Sequence, residues 1–429
     1  MTRSALSPLV PKLRFAEFAD APEWGCAPLK KLAKRITQRN THGAELKALT
    51  NSAEYGIVEQ REFFDKDIAT NTDSYYVVEL GDYVYNPRVS SSAPVGPISK
   101  NHVGTGVMSP LYMVFRFRSE ANEFFAHYFR SSHWHGYLRR VSNSGARHDR
   151  MAITNDDLMR IPIPTPSPRE QQKIADCLGS LDELIAAEGR KLEALRQHKE
   201  RLMAQLFPQG DESVPRLRFP EFQDAGHWER APFSKLCDIK HGYAFEGEFF
   251  NDEGNYVLLT PGNFYERGGY RDRGEKQKYY TGEIPRDYVL NRGDLLVAMT
   301  EQAVGLLGSS ILVPDSDKFL HNQRLGLVTK KIGIAWSNEF FFYVFNTQPV
   351  REAIQGSASG MKVRHTSPAK IGQVVVSFSP SLSEQQRIAE CLSGLDAGIA
   401  GQTNKLEALK QHKQGLLQQL FPSMEGEAQ

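Results

Sequence analysis

Two stretches of this chain place apolar residues at alternating spacings of four and three. The first runs Ile174, Leu178, Leu181, Ile185, Glu188, Leu192, Leu195, Lys199, Leu202 and Leu206. The second runs Ile388, Leu392, Leu395, Ile399, Gln402, Leu406, Leu409, Lys413, Leu416 and Leu420. That period is the seam of a left-handed coiled coil and predicts two long helices. Ser167, Pro168 and Glu170 sit where an N-cap, a first helical residue and the partner of a capping box belong; Ser381 and Glu384 repeat the arrangement. Pro208 and Pro422 predict that the helices stop near Phe207 and Phe421. Two amphipathic helices packed on separate domains would carry the same stripes. The sharper expectation is that the helices pair with each other, antiparallel. A compact insert begins and ends near one point, whereas parallel helices of about 40 residues would force the chain between them to span roughly 60 Å. The expected object is a rod with one module at each end. The polar stripe positions suggest a register in which facing residue numbers sum to 601, so that Glu188 meets Lys413, Lys199 meets Gln402 and Ile185 meets Leu416. A shift by one heptad would set Glu188 against Leu406 and bury a carboxylate alone.

Ahead of each helix the pattern changes to short apolar runs bounded by turn residues. Tyr75–Asn86, Leu111–Arg118, Tyr256–Thr260, Asp294–Thr300 and Ser309–Pro314 read as strands. Ala121–Ser131 and Asn338–Thr347 read as short buried helices at comparable places in the two halves. The fold class is therefore α+β: two globular modules separated by a long antiparallel two-helix coiled coil, with a pseudo-two-fold internal repeat. The expected boundaries are a first module over 1–166, a helix over 167–208, a second module over 209–380, a helix over 381–422 and a tail over 423–429.

The repeat is confined to a frame. EQQKIADCL from Glu170 returns as EQQRIAECL from Glu384, and KLEALRQHKERLMAQLFP from Lys191 returns as KLEALKQHKQGLLQQLFP from Lys405, both 214 residues later. PKLRFAEF from Pro11, with Trp24, returns as PRLRFPEF from Pro215, with Trp228, 204 residues later. The inserts between these frames hardly resemble each other. A constant frame with two divergent inserts suggests one scaffold presenting two specificities.

Bulk chemistry bounds the options without choosing among them. The formal net charge is +1 over 429 residues, so no global field advertises a polyanion partner and local patches must decide. Cys26, Cys177, Cys237 and Cys391 form no CxxC pair, which fits free thiols in a reducing cytosol. The start lacks the apolar core of a signal peptide, and no run of 18 apolar residues is present. No P-loop, GxSxG, HExxH or kinase motif appears, so catalytic residues and metal ligands are expected to be none. His133-Trp134-His135 lacks the neighbours a metal site needs.

Two basic loops follow the buried helices. One carries Arg139, Arg140, Arg147, His148 and Arg150; the other carries Arg351, Lys362, Arg364, His365 and Lys370. Ser/Gly-rich backbone beside cations suits phosphates and grooves, although a solvated basic loop would look the same. Asn322, Gln323 and Arg324 are a third DNA-binding candidate, since Asn and Gln pair with adenine and Arg with guanine, although the string could simply cap a strand. The spacer-helix core candidates are Leu181, Ile185, Glu188, Leu192, Leu195, Leu202, Leu395, Ile399, Leu406, Leu409, Lys413 and Leu416.

The doubled order of Leu-Arg-Phe-x-Glu-Phe…Trp opening (Leu13–Trp24, Leu217–Trp228), insert, and Glu-Gln-Gln helix (Glu170, Glu384) resembles the specificity subunit of type I restriction–modification systems over essentially the whole chain. The resemblance implies that each insert is a target recognition domain reading one half of a split DNA sequence and that the helices set the gap. It implies no catalysis and no cofactor in this chain. The implied partners are double-stranded DNA, two methyltransferase subunits carrying S-adenosylmethionine, and restriction subunits using ATP and Mg. A tandem DNA-binding adaptor outside restriction, a diverged enzyme with its active site in one insert, and a scaffold that never meets DNA remain as rivals.

Overall fold

The computed structural model describes residues 9–41, 46–65, 72–119, 123–142, 149–301, 303–360 and 363–423. They form two compact units, Met1–Arg190 with Thr403–Gln429, and Lys191–Gln402. The division passes through both long helices, Pro168–Leu206 and Leu382–Gln419.

The first unit is built on a four-stranded antiparallel sheet ordered Ala33–Ile36, Met113–Phe117, Tyr83–Tyr85, Ile98–Lys100. Smaller pairs join Leu49–Ser52 to Gly56–Glu59 and Tyr76–Val78 to Gly106–Met108. The run Tyr75–Asn86, read above as one strand, is two strands in different sheets. The break falls at a turn where Asp82 Oδ2 accepts the Glu79 N–H at 2.8 Å and Gly81 takes a positive φ of 88°. Helix Phe124–Arg130 buries six successive side chains, which fits its all-round apolar sequence.

The second unit repeats the design with additions. Its four-stranded antiparallel sheet is ordered Cys237–His241, Leu325–Lys330, Leu295–Ala298, Ser310–Leu312. A five-stranded sheet contains the parallel pair Tyr256–Leu259 and Phe319–His321. Helix Asn338–Asn346 is capped by Ser337, whose hydroxyl accepts the Phe340 N–H at 3.2 Å.

Each module closes on itself where the helix begins. Gly25–Pro28 pairs antiparallel with Pro162–Thr165, and Glu229–Pro232 pairs with Val375–Phe378. The chain therefore enters and leaves each module at neighbouring points. Helix ends also enter the cores. Phe421 meets Phe124 and Tyr128 in the first unit, with ring centroids 5.3 and 5.6 Å away. Phe207 meets Phe340 and Trp228 in the second, at 5.5 and 6.0 Å.

Within each unit the two helices run antiparallel. In the first, Lys413 is ion-paired with Asp182 and Lys405 with Glu188; in the second, Lys199 pairs with Asp396 at 2.5 Å. This displaces the register by close to one heptad from the expected one, in which Glu188 was to meet Lys413 and Lys199 was to meet Gln402. The objection to this alignment was a stranded Glu188. It does not hold, because Glu188 pairs with Lys405, and Lys413 has a carboxylate of its own, Asp182, one position beside the stripe. Long charged side chains need not face a partner in the same core layer. Leu192 and Lys413 are buried along the helices. Leu181, Ile185, Glu188, Leu195, Leu202, Leu395, Ile399, Leu406, Leu409 and Leu416 are half-buried. No helix among the described residues is long and apolar enough to cross a membrane.

Candidate nucleic-acid interface

The repeated motifs meet in space. The Arg14 guanidinium donates to Glu170 Oε1 at 2.7 Å and Oε2 at 2.8 Å, and to the Ala21 carbonyl at 2.8 Å. In the second unit Arg218 donates to Glu384 Oε1 at 2.6 Å and Oε2 at 2.9 Å, and to the Ala225 carbonyl at 2.6 Å. The same opening segment also grips the end of the opposing helix. Leu13 N–H donates to the Gln419 carbonyl at 2.9 Å, and Leu217 N–H to the Gln205 carbonyl at 3.0 Å. A bidentate, charge-assisted pair under cover fixes orientation as well as energy. The expected capping boxes are thus only half made. Ser167 and Ser381 hydroxyls accept the Glu170 and Glu384 N–H groups at 3.3 and 3.4 Å, while the two carboxylates turn to arginine. The hydrogen bond from Arg14 to Glu170 pushes the Arg14 pKa up, against the opposing effect of burial.

Lys413 and Asp182 form the corresponding polar link between helices. Burial draws Lys413 below its ordinary range while the Asp182 hydrogen bond works the other way. Burial pushes the Asp182 carboxyl up, but the Lys413 hydrogen bond and charge prevail and hold it below the usual carboxylate range. Arg130 adds a second contact to Asp182 at 2.9 Å. In the second unit Tyr343 Oη donates to Asp396 at 2.8 Å. Asp182 and Asp396 are equivalent in the 214-residue repeat. That recurrence is the signal that could have located both pairs, and the stripe alone missed it.

The DNA-binding candidates separate into exposed and engaged groups. Arg139 and Arg140 lie exposed in the last turn of helix His135–Val141. Arg150 is half-buried, its backbone bridged to Arg88 and its side chain 3.8 Å from Asp149. Arg147, His148 and Lys362 lie outside the described residues. Arg364 donates to the Gln355 carbonyl and stands 3.6 Å from Glu301, and the His365 ring lies 3.2 Å from Thr300 Oγ1. Arg351 is buried and donates to the Gly305 carbonyl. The second basic loop therefore uses much of its charge to hold itself together. Asn322 is buried, its Oδ1 accepting the Arg324 N–H at 3.0 Å, while Gln323 and Arg324 are exposed.

The histidines flanking Trp134 have structural neighbours. The His133 ring is 3.2 Å from the Gln418 carbonyl, and the His135 ring packs edge-on to Trp134 at 4.6 Å. Burial lowers the His135 pKa to about 4. Among the described residues no group of three or more His, Cys, Asp or Glu is placed to hold a metal ion.

Residues 44–197 and 226–411 each match the family described as the Type I restriction modification DNA specificity domain. The Type I restriction enzyme MjaVIII specificity subunit of Methanocaldococcus jannaschii is 23% identical over 266 residues, 61% of each chain. The Type I restriction enzyme EcoBI specificity subunit of Escherichia coli is 27% identical over 186 residues, 43% of this chain and 35% of that one. The chain thus spans less than two thirds of the length of either relative. Among solved structures, the type I restriction–modification S subunit from M. genitalium superposes with a TM-score of 0.56 at 13% identity, covering 97% of this chain and 100% of that one. A chain from work on complex assembly and conformational transition of the type I R-M system gives a TM-score of 0.56 at 16% identity, covering 94% and 98%. At such identities the likeness is one of fold.

Proposed function

The chain belongs to the type I restriction modification DNA specificity family, which it matches twice, and from that membership we propose that it is the sequence-recognition subunit of a type I restriction–modification complex. Each module reads one half of a bipartite duplex target. The paired helices set the gap between the halves and dock two methyltransferase subunits, to which restriction subunits can be added. Methyl transfer and ATP-driven steps belong to those partners, with their S-adenosylmethionine, ATP and Mg; this chain contributes recognition and geometry.

One observation carries the reading. Both modules are fastened to the helices by the same lock, Arg14 on Glu170 and Arg218 on Glu384, while the residues they expose differ. Matching arginine–glutamate mounts with unlike surfaces are what a reader of two different half-sites requires. Exposed Arg139 and Arg140 are suited to phosphate contacts, which position a protein on the duplex without reading sequence.

The test is an exchange. Replacing residues 230–375 with the corresponding insert of a relative, and sequencing the methylated sites in cells that also express the methyltransferase partner, is expected to change one half of the methylated sequence and leave the other intact. An unchanged target, or a change in both halves, would reject the modular assignment.

A further inference from the structure

We propose that one turn is the base-reading tip of each module: Ser109–Tyr112 in the first and Asn322–Leu325 in the second. The inference rests on the functional reading above and assigns base contacts within it.

The two turns are built alike although their sequences share nothing. Tyr112 N–H donates to the Ser109 carbonyl at 3.0 Å, and Leu325 N–H donates to the Asn322 carbonyl at 3.0 Å. The side chain of the first residue accepts the N–H of the third in both: Leu111 to Ser109 Oγ at 3.4 Å, and Arg324 to Asn322 Oδ1 at 3.0 Å. Each turn follows a strand ending in a fully buried residue, Met108 or His321. Each leads into the second strand of its four-stranded sheet, Met113–Phe117 or Leu325–Lys330. The outer turn positions are committed to the fold in both modules. The middle two are exposed, and there the modules differ: Pro110 and Leu111 against Gln323 and Arg324.

That difference has the chemistry of base readout. Gln and Arg offer paired hydrogen bonds to adenine and guanine edges, whereas Leu can only pack on an apolar feature such as the thymine methyl. Leu111 is 60% exposed and so open to such a contact. The second turn is also stiff. The His321 ring is 2.9 Å from the Leu325 carbonyl, and Tyr243, just past strand Cys237–His241, donates its N–H to the His321 carbonyl and accepts the Gln323 N–H, at 2.9 and 3.0 Å. Gly242 permits this approach, because a Cβ there would stand 2.2 Å from the Asn322 carbonyl oxygen. Cations over rings flank both turns. Lys240 lies 4.4 Å from the Tyr288 ring beside exposed Tyr243, and Arg39 lies 5.9 Å from the ring of Tyr76, which pairs with Met108 at the start of the first turn. Such groups suit the backbone next to the bases being read.

The experiment uses the full chain and selection from a randomised duplex library, followed by sequencing. Wild type is expected to enrich a bipartite sequence. The double variant Gln323→Ala/Arg324→Ala should lose preference in one half only and bind the wild-type duplex about 10- to 100-fold more weakly. Leu111→Ala should relax the other half. Gln323→Glu separates reading from folding, since a carboxylate accepts from cytosine rather than pairing with adenine and should change the preferred base. Variants that all select the wild-type sequence with wild-type affinity would overturn the inference while leaving the subunit assignment standing. A wild type that enriches no sequence would remove the assignment itself, and this inference with it.

Discussion

Arg14 and Glu170 are 10% and 2% exposed at their side chains, and Arg218 and Glu384 are 7% and 1% exposed. Removing one partner from such a pair leaves a charge without water or counter-ion. Arg14→Ala or Glu384→Gln is expected to cost about 3–5 kcal/mol in urea denaturation, with a smaller loss when both partners of one lock are replaced by apolar residues. The two locks differ in one donor. Trp24 Nε1 donates to Glu170 Oε1 at 3.0 Å, whereas the Trp228 indole N–H has no partner among the described residues and Ser379 Oγ bonds Glu384 instead, at 2.5 Å. Trp24→Phe should therefore be the more damaging change, by about 1.5–3 kcal/mol for a hydrogen bond to a charged acceptor; equal losses at both tryptophans would contradict the asymmetry. Burial also sets the acid limit. Desolvation lowers the His127 and His321 pKa values to about 4 each. The unfolded chain takes up these protons near pH 6.5, before the folded chain does, so stability is present above pH 6.5 and falls as pH drops toward 4. The unfolding free energy should decline across that window, by up to about 3 kcal/mol per histidine, and the denaturation midpoint with it. His127→Met should flatten part of the slope; a midpoint constant from pH 7 to 4.5 would refute the account.

At the scale of elements the helix register can be tested inside one unit. With Lys413 on Asp182 and Lys405 on Glu188, position 185 lies opposite 409. The cysteine pair Ile185→Cys/Leu409→Cys, with the native cysteines replaced by Ser, should crosslink on mild oxidation. The pair Ile185→Cys/Leu416→Cys should not, although the register suggested by the polar stripe positions would join it; the opposite pattern on a non-reducing gel would favour that register. The two helices were legible because ten stripe positions each repeat at a period no strand can use. Their alignment was not, because a heptad shift keeps stripe facing stripe, and the polar stripe positions favour the wrong choice while the deciding partners Asp182 and Asp396 lie just off the stripe. Glu170 was legible as a helix-start residue but not as half of a lock, since nothing local pairs it with an arginine 156 positions away. In the same way Tyr75–Asn86 carries the strand pattern throughout, and only the turn at Gly81 and Asp82 divides it between sheets. Of the proposed contact residues, Gln323 and Arg324 were visible by chemistry. Leu111 was not, because an exposed leucine becomes informative only when its turn is matched to another.

For the whole molecule, the proposed measuring role makes a quantitative demand. Each seven-residue segment of helix advances about 10 Å, close to three base pairs of duplex. Deleting residues 186–192 from the first long helix and the equivalent 400–406 from the second removes one heptad from each. The links Asp182–Lys413 and Lys199–Asp396 survive because both lie outside the deleted segments. The stripe keeps its phase, since a heptad deletion returns every following residue to its former face. Both modules keep their locks at Glu170 and Glu384. What changes is the distance the helices can hold, together with little rotation about their axis. Methylome sequencing of cells carrying this variant and its methyltransferase partner should therefore recover both half-sequences unchanged, with the gap between them shortened by about three base pairs. Deleting only four residues from each helix would move the stripe off its seam and should abolish methylation rather than shorten the gap. A heptad variant that methylates the wild-type spacing would show that another part of the complex measures the DNA, leaving the helices as a mount for the modules and not a ruler.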